Sequence, residues 1–175
     1  MRLPWVRNLP RANLTVPRAR DALRAEYQVL HRAVLAIVRE DAVCRRLMAV
    51  PGVGPLVAIT FASAVDDPAR FRRSRDVGAH FGLTPKKYQS GETDVTGGIS
   101  KAGDAAVRTA LYEAANVILT RAVKGSALKS WAARLALRAG MRKAKVALAR
   151  KLAVVMHRML ADGTPFAAER AAVAI

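Results

Sequence analysis

The sequence predicts a mostly α-helical protein that carries a small β-hairpin or loop around residues 84–99. Apolar residues recur with helical spacing before residue 82 and again from Ala102 to near the end of the chain. Between these regions, the segment Leu83–Ser100 has no helical period and contains three glycines. A loop of this length inside a compact domain is usually functional or disordered, so we expect the functional residues to include members of it.

The overall charge points to a polyanionic partner. The 175 residues include 30 Lys and Arg but only 13 Asp and Glu, which gives a net charge of +17 and an isoelectric point near 11.4. An apolar fraction of 52% excludes a disordered basic tail. The basic residues concentrate in residues 1–50 and 101–150. We therefore expect a nucleic-acid partner, the alternative being that the charge only keeps the protein soluble.

The pattern along the chain divides it into four parts. Three prolines among scattered arginines predict an extended lead-in over residues 1–17. A helical arm that resembles a coiled coil follows over residues 18–40, and then come the main domain, 41–166, and a tail, 167–175.

The arm is predicted from one apolar stripe with alternating spacings of four and three. Its members are Leu23, Tyr27, Leu30, Val34 and Ile37. The stripe fits either a helix packed on its own domain or one strand of a short coiled coil that joins two chains.

A Pro-Gly-Val-Gly turn at residues 51–54 joins two short helical patterns, which predicts a helix-hairpin-helix. Gly52 and Gly54 permit a tight turn and leave no side chain between the backbone and a ligand. Pro55 stands where the second helix would begin, a position at which its missing N–H is harmless. The free N–H groups of that helical turn would favour a phosphate, so Gly52 and Gly54 are predicted DNA-contacting residues.

The segment without helical period contains a candidate nucleophile. Ser90 stands beside Gly91, where a hydroxyl could approach a phosphodiester without steric cover. Lys86 and Lys87 could neutralise the phosphate, and Tyr88 offers a stacking face. The same residues would also make an ordinary basic turn that contacts DNA without reacting.

A second serine, Ser100, precedes the next helical pattern and is a plausible helix N-cap. Lys101 and Arg108 are one heptad apart in that pattern, so we expect them on one helix, where both could reach one phosphate track.

A basic block later in the chain predicts contact with the sugar-phosphate backbone. Such contacts give affinity and salt dependence rather than base specificity. The predicted contact residues are Arg134, Arg138, Arg142, Lys143 and Lys145, with Arg150 and Lys151 in the same block.

Other kinds of site are not indicated. The single cysteine, Cys44, excludes an intrachain disulfide and is expected in the core. The three histidines are far apart, the acids share no common spacing, and we expect no metal or cofactor in this chain. The sequence has no signal-peptide core and no apolar stretch long enough to span a membrane, so a cytoplasmic protein is expected.

Three motifs in this order carry a resemblance to a known family. They are MAVPGVGPLVA, ARFRRSRDVGAHFGLTPKKYQSGE and GGISKAGDAAVRTALYEAA. Together they resemble the C-terminal transposase domain of the IS110 family, which includes the IS116 and IS902 groups. The resemblance runs from about residue 45 to residue 166.

The resemblance implies a DNA recombinase with a serine nucleophile, which forms a covalent phosphoserine link to cut DNA. In the Tyr-X-Ser-Gly position that serine is Ser90, and Ser100 is left with loop and cap roles. Full-length members carry an N-terminal RuvC-like domain with a DEDD set of acids that binds magnesium, and a coiled coil joins it to the transposase domain. Some members are guided by a bridge RNA and act as tetramers. We therefore expect DNA, and in some members a guide RNA, as partners, and a homo-oligomer, either a dimer or a tetramer.

The chain departs from the family pattern in one respect. Nothing before Arg18 resembles a RuvC-like domain, so we expect magnesium only in that missing domain and no strand cleavage by this chain alone. The chain would then be a truncated remnant, a fragment or a subunit working in trans. Two hypotheses of another class remain: a non-catalytic nucleic-acid-binding module, and a binder specific for DNA junctions.

Overall fold

The computed structural model describes residues 12–90, 93–121 and 126–167. Within these ranges the chain is mostly helical and has one two-stranded antiparallel sheet, which confirms the predicted fold class. The elements in chain order are α1 Ala12–Glu40, α2 Ala42–Leu47, α3 Pro55–Val65, a 3₁₀ turn Pro68–Arg70, α4 Asp76–His80, β1 Pro85–Ser90, β2 Thr93–Ile99, α5 Ala105–Thr120, α6 Ala127–Ala139 and α7 Met141–Ala161.

The last helix, α7, forms the centre of the core. All residues from Lys151 to His157 are buried, which a helix achieves only when other elements surround it. Helices α2, α4, α5 and α6 contact α7, and α3 packs on α5. Leu148, Leu152 and Met156 are fully buried in this centre.

The segment without helical period forms a β-hairpin, which is one of the two predicted forms. Ser90 pairs with Thr93 at the far end, and Pro85 pairs with Ile99 at the near end. Between Pro85 and Lys87 the register shifts, because β1 advances two residues while β2 advances three. The extra residue lies at the Gly97-Gly98 pair, and such a bulge bends and twists the hairpin.

Helix α1 begins earlier than the sequence indicated. It starts at Ala12 and takes up residues 12–17, which were predicted to be extended. Pro17 lies inside the helix, where its fixed φ is compatible with helical geometry and where it removes one hydrogen-bond donor. Residues 1–11 and the tail from 168 onward lie outside the described residues.

The apolar stripe of α1 is mostly uncovered. Only Val34 of the stripe packs against the core, and the buried Val38 fixes that end of the helix. The other four members are between 57% and 72% exposed: Leu23, Tyr27, Leu30 and Ile37. Packing on its own domain therefore accounts for only one residue of the stripe.

The start of α5 corrects the prediction that Ser100 is its N-cap. The helix begins at Ala105, and the Asp104 carboxylate accepts hydrogen bonds from the N–H groups of Ala106 at 2.6 Å and Val107 at 3.3 Å. Lys101 is not on this helix either. Its φ is +57°, so the chain turns out of helical geometry between Ser100 and Asp104.

The cysteine and the histidines have packing roles, as expected. Cys44 is buried, and burial together with the neighbouring Asp41 carboxylate raises the pKa of its thiol. His157 is also buried, between the Ser74 hydroxyl at 3.0 Å and the Pro68 carbonyl at 3.1 Å. Since a carbonyl only accepts, His157 Nε2 carries a proton and holds the segment before α4 on α7.

We predict that His157 makes the protein less stable in mild acid. Burial lowers the pKa of His157 below its usual 6.5, and this effect outweighs the Pro68 carbonyl and Asp162, which both raise it. Below pH 6.5 the unfolded chain therefore binds the proton more readily than the folded one, and the free energy of unfolding falls as the pH falls. Urea titrations at pH 7.5 and at pH 5 measure the free energy of unfolding under the two conditions. The loss of this free energy between pH 7.5 and pH 5 should be smaller in His157→Gln than in the wild type. An equal pH dependence in the two proteins would contradict the prediction.

Candidate functional site

The near end of the hairpin is fixed to the end of α4 by a Schellman turn. The Gly82 N–H donates to the Ala79 carbonyl at 2.9 Å, and the Leu83 N–H donates to the Gly78 carbonyl at 2.8 Å. Gly82 has a φ of +66°, and a methyl group on it would overlap the backbone of Ala102. Both the turn and this close approach require glycine at position 82.

The chain that leaves the hairpin is held against the same turn. The Ser100 N–H donates to the Thr84 carbonyl at 2.9 Å, and the Lys101 N–H donates to the Gly82 carbonyl at 3.1 Å. The carbonyl of His80 lies where a side chain on Gly103 would begin. The two ends of the hairpin therefore interlock through their backbones.

Arg108 completes this arrangement from the first turns of α5. Its Nη1 donates to the carbonyls of Ala102 at 2.6 Å, Gly103 at 3.0 Å and Phe81 at 3.3 Å. We call Gly82, residues 101–103 and Arg108 the hairpin junction. The prediction that Lys101 and Arg108 share one helix is corrected here, because α5 begins at Ala105. Arg108 is partly buried and its Nη1 binds carbonyls of its own chain, and its contact with a phosphate stays a prediction. Lys101 is exposed beside it.

The hairpin itself brings the candidate nucleophile to its far end. Ser90 is the last residue of β1, and Lys86 and Lys87 are exposed nearer the junction. Successive residues of a strand face opposite sides, so the two lysines lie on opposite faces of the hairpin. The side chains of Tyr88 and Ser90 lie outside the described part of the structure, and their roles stay predictions.

The two glycines of the predicted helix-hairpin-helix have different surroundings. A methyl group on Gly52 would lie 2.7 Å from Ile118 Cγ1 and 2.8 Å from the Ala114 carbonyl, so Gly52 is packed against α5. Gly54 has open space around it and precedes Pro55, the first residue of α3. Packing therefore requires glycine at position 52 and not at position 54, and both glycines are half-buried. The helix-hairpin-helix interpretation and the contact of the two glycines with DNA stay predictions.

The basic block is divided between surface and interior. Five exposed members have no salt-bridge partner among the described residues: Arg134, Arg138, Arg142, Lys143 and Arg150. Lys145 is half-buried, with its Nζ 6.0 Å from the centre of the Tyr112 ring.

Lys151, a further member of the block, has a packing role. It is buried with its Nζ 4.5 Å from the Trp131 ring centre, and burial lowers its pKa. Lys151 therefore does not belong to the surface that we expected to face a phosphate backbone. Arg150 covers Gly78 with part of its side chain but is exposed.

In residues 12–90, 93–121 and 126–167, no group of three or more His, Cys, Asp and Glu side chains is placed to hold a metal ion. The helices of the same ranges include none that is both long and apolar enough to cross a membrane.

Comparison with known proteins decides the family. The sequence profile of the transposase IS116/IS110/IS902 family matches residues 44–132. The chain belongs to this family. The matched region contains the Pro-Gly-Val-Gly turn, the hairpin, the hairpin junction and Trp131.

Individual transposases are similar over most of this chain. The transposase for insertion sequence element IS1111A of Coxiella burnetii is 38% identical over 142 residues, which are 81% of this chain and 38% of that protein. A probable family 20 transposase of Pseudomonas aeruginosa is 36% identical over 82% of this chain and 43% of its own length. The transposase for insertion sequence element IS1328 of Yersinia enterocolitica is 30% identical over 81% of this chain and 42% of its own length. This chain thus spans about two-fifths of the length of these IS110-family relatives.

Proposed function

We propose that this chain is the DNA-cutting serine domain of a transposase and that Ser90 is its nucleophile. The observation that carries the proposal is the hairpin, which places Ser90 at the end of a strand whose other end is locked by the hairpin junction. Family membership supports the transposase part of the proposal. The resemblance of the Tyr-X-Ser-Gly motif supports the choice of Ser90.

The reaction is a transfer of a phosphoryl group from a sugar oxygen to the serine. Ser90 Oγ attacks the phosphorus of a DNA phosphodiester, and a new Oγ–P bond forms. The bond from phosphorus to the leaving deoxyribose oxygen breaks, the serine proton passes to solvent, and the leaving oxygen takes up a proton. The DNA end is then held on the protein as a phosphoserine ester, which a second DNA hydroxyl can attack to restore a DNA strand.

The two lysines of β1 have unequal roles in this proposal. Residues two apart in a strand share a face, so a regular strand would bring a side chain at position 90 to the face of Lys86 rather than to that of Lys87. An ammonium group on that face would attract the phosphate that the nucleophile attacks. Lys86 is therefore proposed to act at the reacting phosphate and Lys87 on a more distant one.

The exposed basic residues of α6 and α7 are proposed to hold the DNA backbone. Arg134, Arg138, Arg142 and Lys143 carry charge that no described carboxylate neutralises. DNA phosphates would release counterions on binding to such a surface, which makes the affinity fall steeply with salt. In the alternative, a non-catalytic nucleic-acid-binding module, the same surface binds DNA but no covalent bond to the DNA forms.

We predict that Ser90→Ala abolishes a covalent protein–DNA adduct. The chain is mixed with end-labelled donor DNA and with a longer IS110-family transposase whose own Tyr-X-Ser-Gly serine is replaced by alanine. That partner supplies the remainder of the protein. Adducts are counted after denaturing electrophoresis, which removes DNA that is not covalently bound. Lys86→Ala should reduce the adduct more than Lys87→Ala.

The matched control is Ser100→Ala, which removes a hydroxyl near the junction and should keep the adduct. An adduct that persists in Ser90→Ala, or one that disappears only in Ser100→Ala, would overturn the assignment. Salt-sensitive DNA binding with no adduct in any mixture would favour the non-catalytic binding module.

We further propose that two copies of the chain associate through α1. The stripe of Leu23, Tyr27, Leu30 and Ile37 is exposed along a helix of 29 residues, about 43 Å long. Its alternation of four and three matches the seam of a two-stranded coiled coil. Burying the stripe against a second copy would remove these side chains from water.

Sedimentation equilibrium tests this association. The wild-type chain should have the mass of a dimer or a larger assembly at micromolar concentration, and Leu30→Asp should shift it to the monomer. Ala25→Asp introduces the same charge on the opposite face of the helix and should leave the mass unchanged. A monomeric wild type, or equal effects of the two substitutions, would contradict the proposal.

A further inference from the structure

A pocket lies between the near end of the hairpin and helices α5 and α7, and the proposed function does not use it. Its volume is about 320 Å³, and its walls come from three parts of the chain. Leu83 and Ile99 line it from the hairpin ends, and Val146 lines it from α7. The pocket is open to solvent and its walls are largely apolar, so it suits a flat, poorly hydrated group larger than a side-chain methyl.

One wall is an aromatic ring that solvent can reach. Tyr112 on α5 lines the pocket and is 36% exposed. Lys145 Nζ lies 6.0 Å from the centre of this ring, at the limit of a cation–π contact. Nucleic-acid bases stack on such rings whatever their sequence, because every base has a π face.

The charge around the pocket is positive. Lys101 and Arg108 line it, Lys145 adjoins it through Tyr112, and no carboxylate is among its lining residues. Lys101 is held there in a backbone conformation that a residue other than glycine seldom adopts, with φ at +57° and its N–H bonded to the Gly82 carbonyl. Apolar walls with cations around them suit an occupant that has a flat apolar group and carries negative charge beside it.

We propose that the pocket receives one unpaired base of a bound DNA strand. The base packs between Tyr112 and the apolar walls, and Lys101 and Lys145 attract the adjoining phosphates. The proposal rests on the proposed function, because it requires that the chain binds DNA. β1 is about 16 Å long from its first to its last residue, so a strand held in the pocket extends several nucleotides before it reaches Ser90.

Fluorescence anisotropy with three matched DNA duplexes tests the pocket on the full chain. The first duplex is perfectly paired, the second has a one-nucleotide bulge, and the third has the same bulge without its base. The second and third have the same backbone and the same number of phosphates. The base-bearing bulge should bind about 5- to 100-fold more tightly than the abasic bulge, which corresponds to the usual strength of base stacking on an aromatic side chain.

Two substitutions should remove that preference. Tyr112→Ala deletes the stacking surface. Thr109→Phe fills the mouth of the pocket from an exposed position on α5, where the added ring disturbs no core contact. Both variants should bind the perfect duplex as the wild type does. Arg138→Ala is the control, because loss of a distant cation should weaken the binding of all three duplexes by the same factor.

The outcomes separate this inference from the proposed function. Equal binding of the base-bearing and abasic bulges, with binding of the perfect duplex intact, would overturn the pocket and leave DNA binding standing. If both Tyr112→Ala and Thr109→Phe still prefer the base-bearing bulge to the abasic one, the base binds elsewhere and the proposed role of the pocket is also overturned. If RNA duplexes of the same design show the preference for the base-bearing bulge and the DNA duplexes do not, the choice of DNA is overturned. Failure to bind any of the duplexes at low salt would overturn the proposed function itself.

Discussion

One guanidinium group ties the hairpin to the helical core. Arg108 Nη1 donates to three carbonyls, one at the end of α4 and two in the segment that leaves the hairpin. A hydrogen bond from a charged donor contributes about 1.5–3 kcal/mol, and because Nη1 has two hydrogens, at least one of its three contacts is shared. Arg108 stands on α5, which packs on the buried helix α7, so this side chain joins the hairpin to the core in addition to the backbone contacts at α4.

The junction gives the proposed chemistry a rigid support. A nucleophile must meet phosphorus in line with the leaving oxygen, and small displacements of a reacting group lower a rate severely. A two-stranded hairpin alone is only marginally stable in water. Backbone contacts of Gly82 and Gly103 with the neighbouring segments fix its near end, and Ser90, the proposed nucleophile, is the last residue of β1 at the far end. The pocket beside Tyr112 lies at the fixed end, so one bound strand would meet both sites.

The sequence was a good guide to elements and a weaker guide to the junction. Helical spacing predicted the helices on both sides of residues 83–100, and the break in that spacing predicted a hairpin or a loop between them. The prediction that Ser100 is the N-cap of α5 was wrong because the chain bends at Lys101–Gly103 before the helix begins. In this bend the Lys101 N–H bonds to the Gly82 carbonyl and Gly103 lies against the His80 carbonyl, and both carbonyls are distant in the sequence. Two local signals did indicate that the helix begins after residue 103. Glycine at position 103 is unfavourable within a helix, and an aspartate such as Asp104 is as good an N-cap as serine. The contact of Arg108 with the Phe81 carbonyl was beyond sequence reasoning, because Phe81 lies 27 positions away.

Amide hydrogen exchange at the junction tests this account most directly. The N–H groups of Ser100 and Lys101 are bonded between the two ends of the hairpin, and the Leu83 N–H closes the Schellman turn beside them. In the wild type all three should exchange slowly. Arg108→Met keeps the length and the apolar packing of the side chain and removes the donor, so these three amides should exchange at least tenfold faster while those of α7 change little. Arg138→Met, on the exposed face of α6, should leave all of them unchanged. If the three amides stay protected in Arg108→Met, the guanidinium does not hold the hairpin and the account fails.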